Sequence, residues 1–166
     1  MARILSLDGV AAAAWATRGA GTPPDAYSGA AVDVSTASLA DLDGLVALWT
    51  AVGLRFRHDL VAEELAGVLE RDPDLVLVVE EGGTIIASVL GTWDGRRGWV
   101  TRLATHPDHR GRGLALQLVT ELEERLRAKG CRKLNLLIEQ HNAAVVPYYE
   151  RLGYRRDDLI FMEKFL

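Results

Sequence analysis

Four leucines at four-residue intervals, Leu114, Leu118, Leu122 and Leu126, give the plainest periodic signal in the chain. Ala115 and Val119 lie beside them, so a helix over residues 113–129 would carry one apolar stripe onto a core. Glu121–Arg125 and Glu123–Arg127 fall one turn apart on more exposed faces, and Gly130 supplies a stop. A shorter stripe of Leu42, Leu45, Trp49 and Val52 predicts an earlier helix. Ser38 with Asp41 frames its start as a capping box, and Gly53 ends it. Val61, Leu65, Val68 and Leu69 predict another helix over residues 60–71, with Asp59 as N-cap and Asp72-Pro73 as the break.

Between these stripes the period drops to that of strands. Residues 31–36 read as a short strand and residues 75–80 as a β-branched one. Glu81-Gly82-Gly83-Thr84 makes a hairpin into residues 85–93, and Asp94-Gly95 turns the chain again into residues 98–105. Three strands joined by short turns form an antiparallel meander, which Pro107 then leaves. Further on, residues 133–139 read as a strand, 142–152 as a short helix stopped by Gly153, and 154–166 as one or two closing strands. The order β-α-α-β-β-β-α-β-α-β contains no internal repeat. It predicts an α/β (α+β) fold, a mixed sheet flanked by helices, with a right-handed parallel crossover over residues 98–139.

A length of 166 residues suits one domain with a real core. That domain is expected over residues 31–166. Residues 1–30 are rich in Ala and Gly, include Pro23-Pro24 and show no period, so they read as a flexible or loosely docked N-terminal extension. Arg3 before Ile4-Leu5 is a weak export pattern that Asp8 interrupts. The net charge of −4, with arginines gathered in clusters, argues for a local anion patch and against a nucleic-acid track. No apolar run approaches a membrane span, so no membrane partner is expected. The single cysteine, Cys131, excludes an internal disulfide and fits a cytoplasmic location. The four histidines have no metal-ligand spacing and no cysteine partner, so no metal is expected.

Arg110-Gly111-Arg112-Gly113-Leu114-Ala115 links the last meander strand to the leucine-striped helix. A helix start has N–H groups without intrahelical partners and the positive end of the dipole, so it favours an anion. Gly111 and Gly113 remove Cβ atoms and permit left-handed dihedrals, while Arg110 and Arg112 add charge. A nucleotide-binding loop ending in Gly-Lys-Ser/Thr is absent, and the glycine spacing is not that of a dinucleotide fold.

A second segment, Asn142-Ala143-Ala144-Val145-Val146-Pro147-Tyr148-Tyr149-Glu150-Arg151-Leu152-Gly153-Tyr154, follows the next strand. With Arg110, Gly113 and Ala115 in the first segment, it resembles the GNAT superfamily of N-acetyltransferases, including members that acetylate a ribosomal protein's N-terminus. The resemblance runs from about residue 31 to the end. It implies a GNAT fold whose parallel strands splay around an acyl-CoA cleft, with acetyl-CoA as co-substrate and a primary amine as acceptor. It further implies that the pyrophosphate rests on the amides of Arg110, Gly111, Arg112, Gly113, Leu114 and Ala115. The pantetheine arm would follow Leu103, Ala104 and Thr105, and an N–H near Leu103 would polarise the thioester. Asn142 would contact the CoA arm, and Tyr149 would face the sulfur as proton donor, with Tyr148 the core or interface residue.

One role lacks its usual occupant. Leu137 stands where relatives carry a glutamate base, and Trp99, Val100 and Thr101 offer no carboxylate. Glu139, on the same strand and side, is the candidate base, with a water relay or a neutral amine as alternatives. Arg55 and Arg57, between the first two helices, are candidate acceptor contacts or else solvated arginines. The acceptor is a small metabolite, a protein N-terminus or a lysine, and a homodimer is left open. The competing class is a non-catalytic acyl-CoA-binding module of the same fold.

Overall fold

A computed structural model describes residues 32–164. The predicted N-terminal extension of residues 1–30 lies outside the described residues. Five strands form one sheet in chain order: β1 (Val34–Thr36), β2 (Val76–Glu81), β3 (Thr84–Trp93), β4 (Gly98–Thr105) and β5 (Leu134–Asn135). The first four pair antiparallel, and β5 returns parallel to β4. Helices α1 (Leu42–Ala51) and α2 (Val61–Arg71) connect β1 to β2. Helix α3 (Leu114–Ala128) carries the crossover from β4 to β5, and α4 (Val146–Arg151) follows β5.

Each sheet face is covered by its own cluster. On one side Leu45, Leu48 and Trp49 of α1 and Val61 and Leu65 of α2 pack on Val76, Val78, Leu90 and Ala104. On the other, Leu114, Leu118, Leu122 and Leu126 of α3 pack with Tyr149 of α4 on Leu77, Val89, Val100 and Leu103. Strands buried on both faces explain why residues 75–79 and 85–90 read as continuous apolar runs with little alternation. Helix α3 comes so close that a Cβ on Gly91 would collide with Leu122 Cδ1.

Local signals account for most boundaries. The Ser38–Asp41 capping box forms, with Ala40 N–H donating to Ser38 Oγ at 3.2 Å and Ser38 N–H to Asp41 Oδ2 at 2.7 Å. It starts a 3-10 turn (Leu39–Asp41) that runs into α1. Gly53 and Gly130 take left-handed φ of 71° and 90° at the ends of α1 and α3.

Several boundaries differ from the sequence expectation. Asp59 does not cap α2. Leu60 holds that position, and Asp59 instead receives Arg57 Nε at 2.9 Å. The strand expected over residues 133–139 pairs only at Leu134–Asn135. The helix expected over 142–152 divides into a 3-10 segment (Gln140–Val145) and α4. Asn142 lies inside that segment at φ −107°. No strand forms in residues 154–164, and Leu159, Ile160, Phe161 and Met162 are exposed. The expected closing strand is therefore absent among the described residues. Pairing needs a neighbour with free main-chain groups, which an apolar run cannot specify. Glu123 does not pair with Arg127 but accepts from Tyr154 Oη at 3.1 Å.

Candidate active site

The site begins where the sheet opens. The parallel ladder holds only at Gly98↔Leu134 and Trp99↔Asn135. Beyond it β4 continues to Thr105 while the other strand leaves the sheet. Leu134, Leu136 and Ile138 still pack on the α3-side core, so Leu137 and Glu139 take the opposite side. Residues 100–105 of β4 thus keep β3 as their sheet neighbour and face an opening on the other edge.

At the head of this opening lies the glycine loop. Pro107–His109 forms a 3-10 turn, and His106 caps it by accepting from Asp108 N–H at 3.3 Å. Gly111 and Gly113 adopt φ of 73° and 75°, left-handed values that a side chain disfavours. Gly113 is the N-cap of α3 and supplies no capping side chain. Arg110 N–H donates back to Pro107 O, and Gln117 N–H is the first of the helix to find a carbonyl, that of Gly113 at 3.1 Å. Among the described residues, the main-chain N–H groups of residues 111–116 donate to nothing between these two. That is a row of donors at a helix start, where an anion is stabilised.

Arg112 does not add a free charge to this loop. Its guanidinium meets Glu81 of the β2–β3 hairpin, Nη2 to Oε1 at 2.7 Å and Nη1 to Oε2 at 3.2 Å, and His109 Nδ1 at 2.6 Å. The Arg112 hydrogen bond holds the Glu81 carboxyl below its usual range. Arg110 is half-buried.

Tyr149 is the buried residue of α4. It is 2% exposed and packs in one cluster with Leu103, Leu114 and Ala115, and its Oη has no hydrogen-bond partner. Burial, then the neighbouring Tyr148 and Tyr154, push its phenol well above the ordinary value of 10.0. Tyr148, expected to be the core or interface residue, is the less buried of the two and packs against the same core cluster. Asn142 Nδ2 and Thr105 Oγ1 are also buried without partners. Buried polar atoms are seldom left this way, and each invites a ligand group. Glu139 is partly buried, with Oε2 3.2 Å from His141 Nδ1.

On the other face, exposed Arg57 pairs with Asp59, Nε to Oδ1 at 2.9 Å. Arg55 is exposed and takes no partner among the described residues. Sequence reasoning missed Arg102. This residue is the only described non-glycine with positive φ, at 50°. It sits at a bulge in β4, because Ser88 faces Ala104 while Leu90 faces Thr101, leaving Val89 opposite two residues. Its guanidinium stacks 4.4 Å from the Trp49 ring centroid and donates to Glu64 Oε2 at 2.8 Å. The available signal was a lone charge inside an apolar strand, which demands a buried partner.

The parallel pair thus opens beside an uncapped, glycine-led helix, and comparison with known proteins shows which family has this arrangement. The profile of the Acetyltransferase (GNAT) family matches residues 44–154. An acetyltransferase of Yersinia pestis (strain Pestoides F) is 40% identical over 124 residues, 75% of this chain and 88% of the relative. The chain therefore belongs to the GNAT acetyltransferase family. Two solved structures share the fold. A ribosomal-protein-alanine N-acetyltransferase from Brucella melitensis biovar Abortus 2308 aligns with a TM-score of 0.64 at 23% identity, covering 81% of this chain and 99% of that one. AAC(6')-Iy, solved with the bisubstrate analogue CoA-S-monomethyl-acetylneamine, aligns with a TM-score of 0.67 at 17% identity, covering 82% and 99%.

Proposed function

We propose that this protein transfers an acetyl group from acetyl-CoA to a primary amine, by direct attack within a ternary complex. The observation that carries the reading is the opening of the parallel pair beyond Trp99↔Asn135, together with the partnerless buried groups of Tyr149, Asn142 and Thr105. Acetyl-CoA fits these groups: it offers a diphosphate, a chain of amides and a thioester, and so supplies the activated acyl group. The N–H groups of residues 111–116 hold the diphosphate, with Arg110, Gly111, Arg112, Gly113, Leu114 and Ala115 as its cradle. Leu103, Ala104 and Thr105 present an open strand edge to the amide-bearing arm, and Asn142 meets it from the facing side.

A main-chain N–H near Leu103 stabilises the charge that develops on the carbonyl oxygen. As the amine nitrogen bonds to the carbonyl carbon and the C–S bond breaks, Tyr149 gives its proton to the sulfur. A phenol at its ordinary value of 10.0 already carries that proton at neutral pH, and burial raises it further. Glu139, or water near it, receives the amine's proton. Arg55 receives an acidic group of the acceptor, in a protein N-terminus, a lysine-bearing chain or a small metabolite. The catalytic unit is residues 31–166, acting in the cytoplasm.

The test is thiol release from acetyl-CoA over a panel of amines. The expected result is turnover with at least one acceptor class, falling by about 10²-fold in Tyr149→Phe, a typical share for one proton donor. Tight acetyl-CoA binding with no release on a broad panel overturns the enzyme reading and leaves a binding module.

A further inference from the structure

We infer that Arg102 is a positioning residue, locking the β4 bulge so that the main-chain N–H beside it points at the thioester carbonyl. The inference rests on the acetyl-CoA reading above. It starts from a closed loop of contacts. Trp49 Nε1–H donates to Ser88 Oγ at 3.0 Å, and Ser88 Oγ–H donates to the Arg102 carbonyl at 3.1 Å. The Arg102 side chain then returns over the same Trp49 ring, 4.4 Å from its centroid. One indole thus holds the residue at its carbonyl and at its guanidinium.

Trp49 and Ser88 are both 0% exposed, so the loop is rooted in the core. Glu64 of α2 takes Nη2 at 2.8 Å and fixes the plane of the guanidinium. Phe56, on the loop between α1 and α2, lies edge-on to Trp49 at 5.8 Å and 5.7 Å from Arg102 Cζ. The remaining Nη1 is buried without a hydrogen-bond partner. Burial draws the guanidinium pKa down, and Glu64 opposes this. That is a large commitment of buried polar groups to one strand residue.

The backbone explains its use. A non-glycine residue at φ 50° is strained, and such strain persists only where its surroundings over-determine it. Here the bulge reverses the side-chain alternation, so Leu103 faces α3 while Arg102 and Ala104 meet the α1–α2 layer. The bulge also resets which edge the following N–H groups address. It falls next to Leu103, on the edge that the departing partner strand leaves open. A relaxed bulge would let that N–H turn back toward β3, and a donor misdirected by a fraction of an ångström loses much of its effect.

The experiment measures the carbonyl stretch of acetyl-CoA labelled with 13C at the acetyl carbonyl, bound to the full chain. Calorimetry of acetyl-CoA and a thermal melt run alongside. In the wild type the band is expected to shift to lower frequency on binding. In Arg102→Gly, which tolerates the left-handed φ but lacks the guanidinium, and in Ser88→Ala, more than half of that shift is lost. Affinity stays within about twofold, because the diphosphate cradle is untouched. Arg102→Lys, which keeps the charge without the planar stack, falls between them. A wild-type band in a folded Arg102→Gly and Ser88→Ala overturns the positioning role. An unshifted band in acetyl-CoA-bound wild type overturns the donor near Leu103, and no binding by wild type overturns the acetyl-CoA reading itself.

Discussion

At the scale of single residues, the site separates groups that serve the fold from groups held in reserve. Tyr149 is the sharpest case, since its ring fills the α3-side core while its hydroxyl does nothing for stability. Removing an unsatisfied buried hydroxyl is near neutral or stabilising. Tyr149→Phe should therefore melt within about 1 kcal/mol of wild type, or above it, while turnover falls. A large loss of stability in the melt would mean that the hydroxyl has a structural partner. Gly113→Asp tests the loop, because a carboxylate at the N-cap would face the diphosphate and a side chain would strain φ 75°. Acetyl-CoA affinity should drop by more than about 10-fold by calorimetry, against a modest change for Gly95→Ala, a left-handed turn glycine remote from the loop. Tyr149 and Asn142 could be singled out in the sequence through a resemblance, and their burial without partners could not, because orphaning depends on what else reaches the spot.

At the scale of elements, the β2–β3 hairpin and the glycine loop are electrically joined through Glu81 and Arg112. Sequence alone counted Arg112 as free positive charge, because nothing local says that residue 81 lies across from it. Glu81→Gln should release that charge and tighten acetyl-CoA binding two- to fivefold at low salt, an effect that fades as ionic strength rises. Unchanged affinity would place the Arg112 guanidinium out of reach of the ligand. The contact of α3 with β3 gives a second test. Gly91→Ala drives a methyl into Leu122, and overpacking of this kind costs about 1–3 kcal/mol in a denaturant midpoint. The leucine stripe of α3 was fully legible, and all four leucines are buried. The strand after it was legible only as an extended apolar segment, because ladder pairing is a property of two strands.

At the scale of the whole molecule, the two sheet faces have distinct duties. The α3–α4 side carries the loop donors and Tyr149, whereas the α1–α2 side carries Trp49, Arg102 and the loop with Arg55. No helix among the described residues is long and apolar enough to cross a membrane. Residues 1–30 read in the sequence as a loosely docked extension, so deleting them should leave acetyl-CoA affinity within about twofold by calorimetry. Buried phenols also set the alkaline limit of the fold. Tyr149 and Tyr154 both have pKa values raised by burial, so the native state retains protons that the unfolded chain releases above the ordinary 10.0. Their contribution is complete below pH 10.0 and declines as pH rises further. The melting temperature should fall above pH 10, less steeply in Tyr149→Phe.

What the sequence determined by itself was local and periodic. Helix stripes, the meander's turns and the glycine-led start of α3 follow from side-chain spacing and from dihedrals that only certain residues adopt easily. Tertiary structure decided where pairing stops, which arginines remain uncommitted and which polar atoms are stranded. Those outcomes depend on the approach of segments far apart in the chain, as when Glu81 meets Arg112 and Trp49 encloses Arg102. Burial and charge pairing are set by three-dimensional neighbours, which no single stretch of sequence contains.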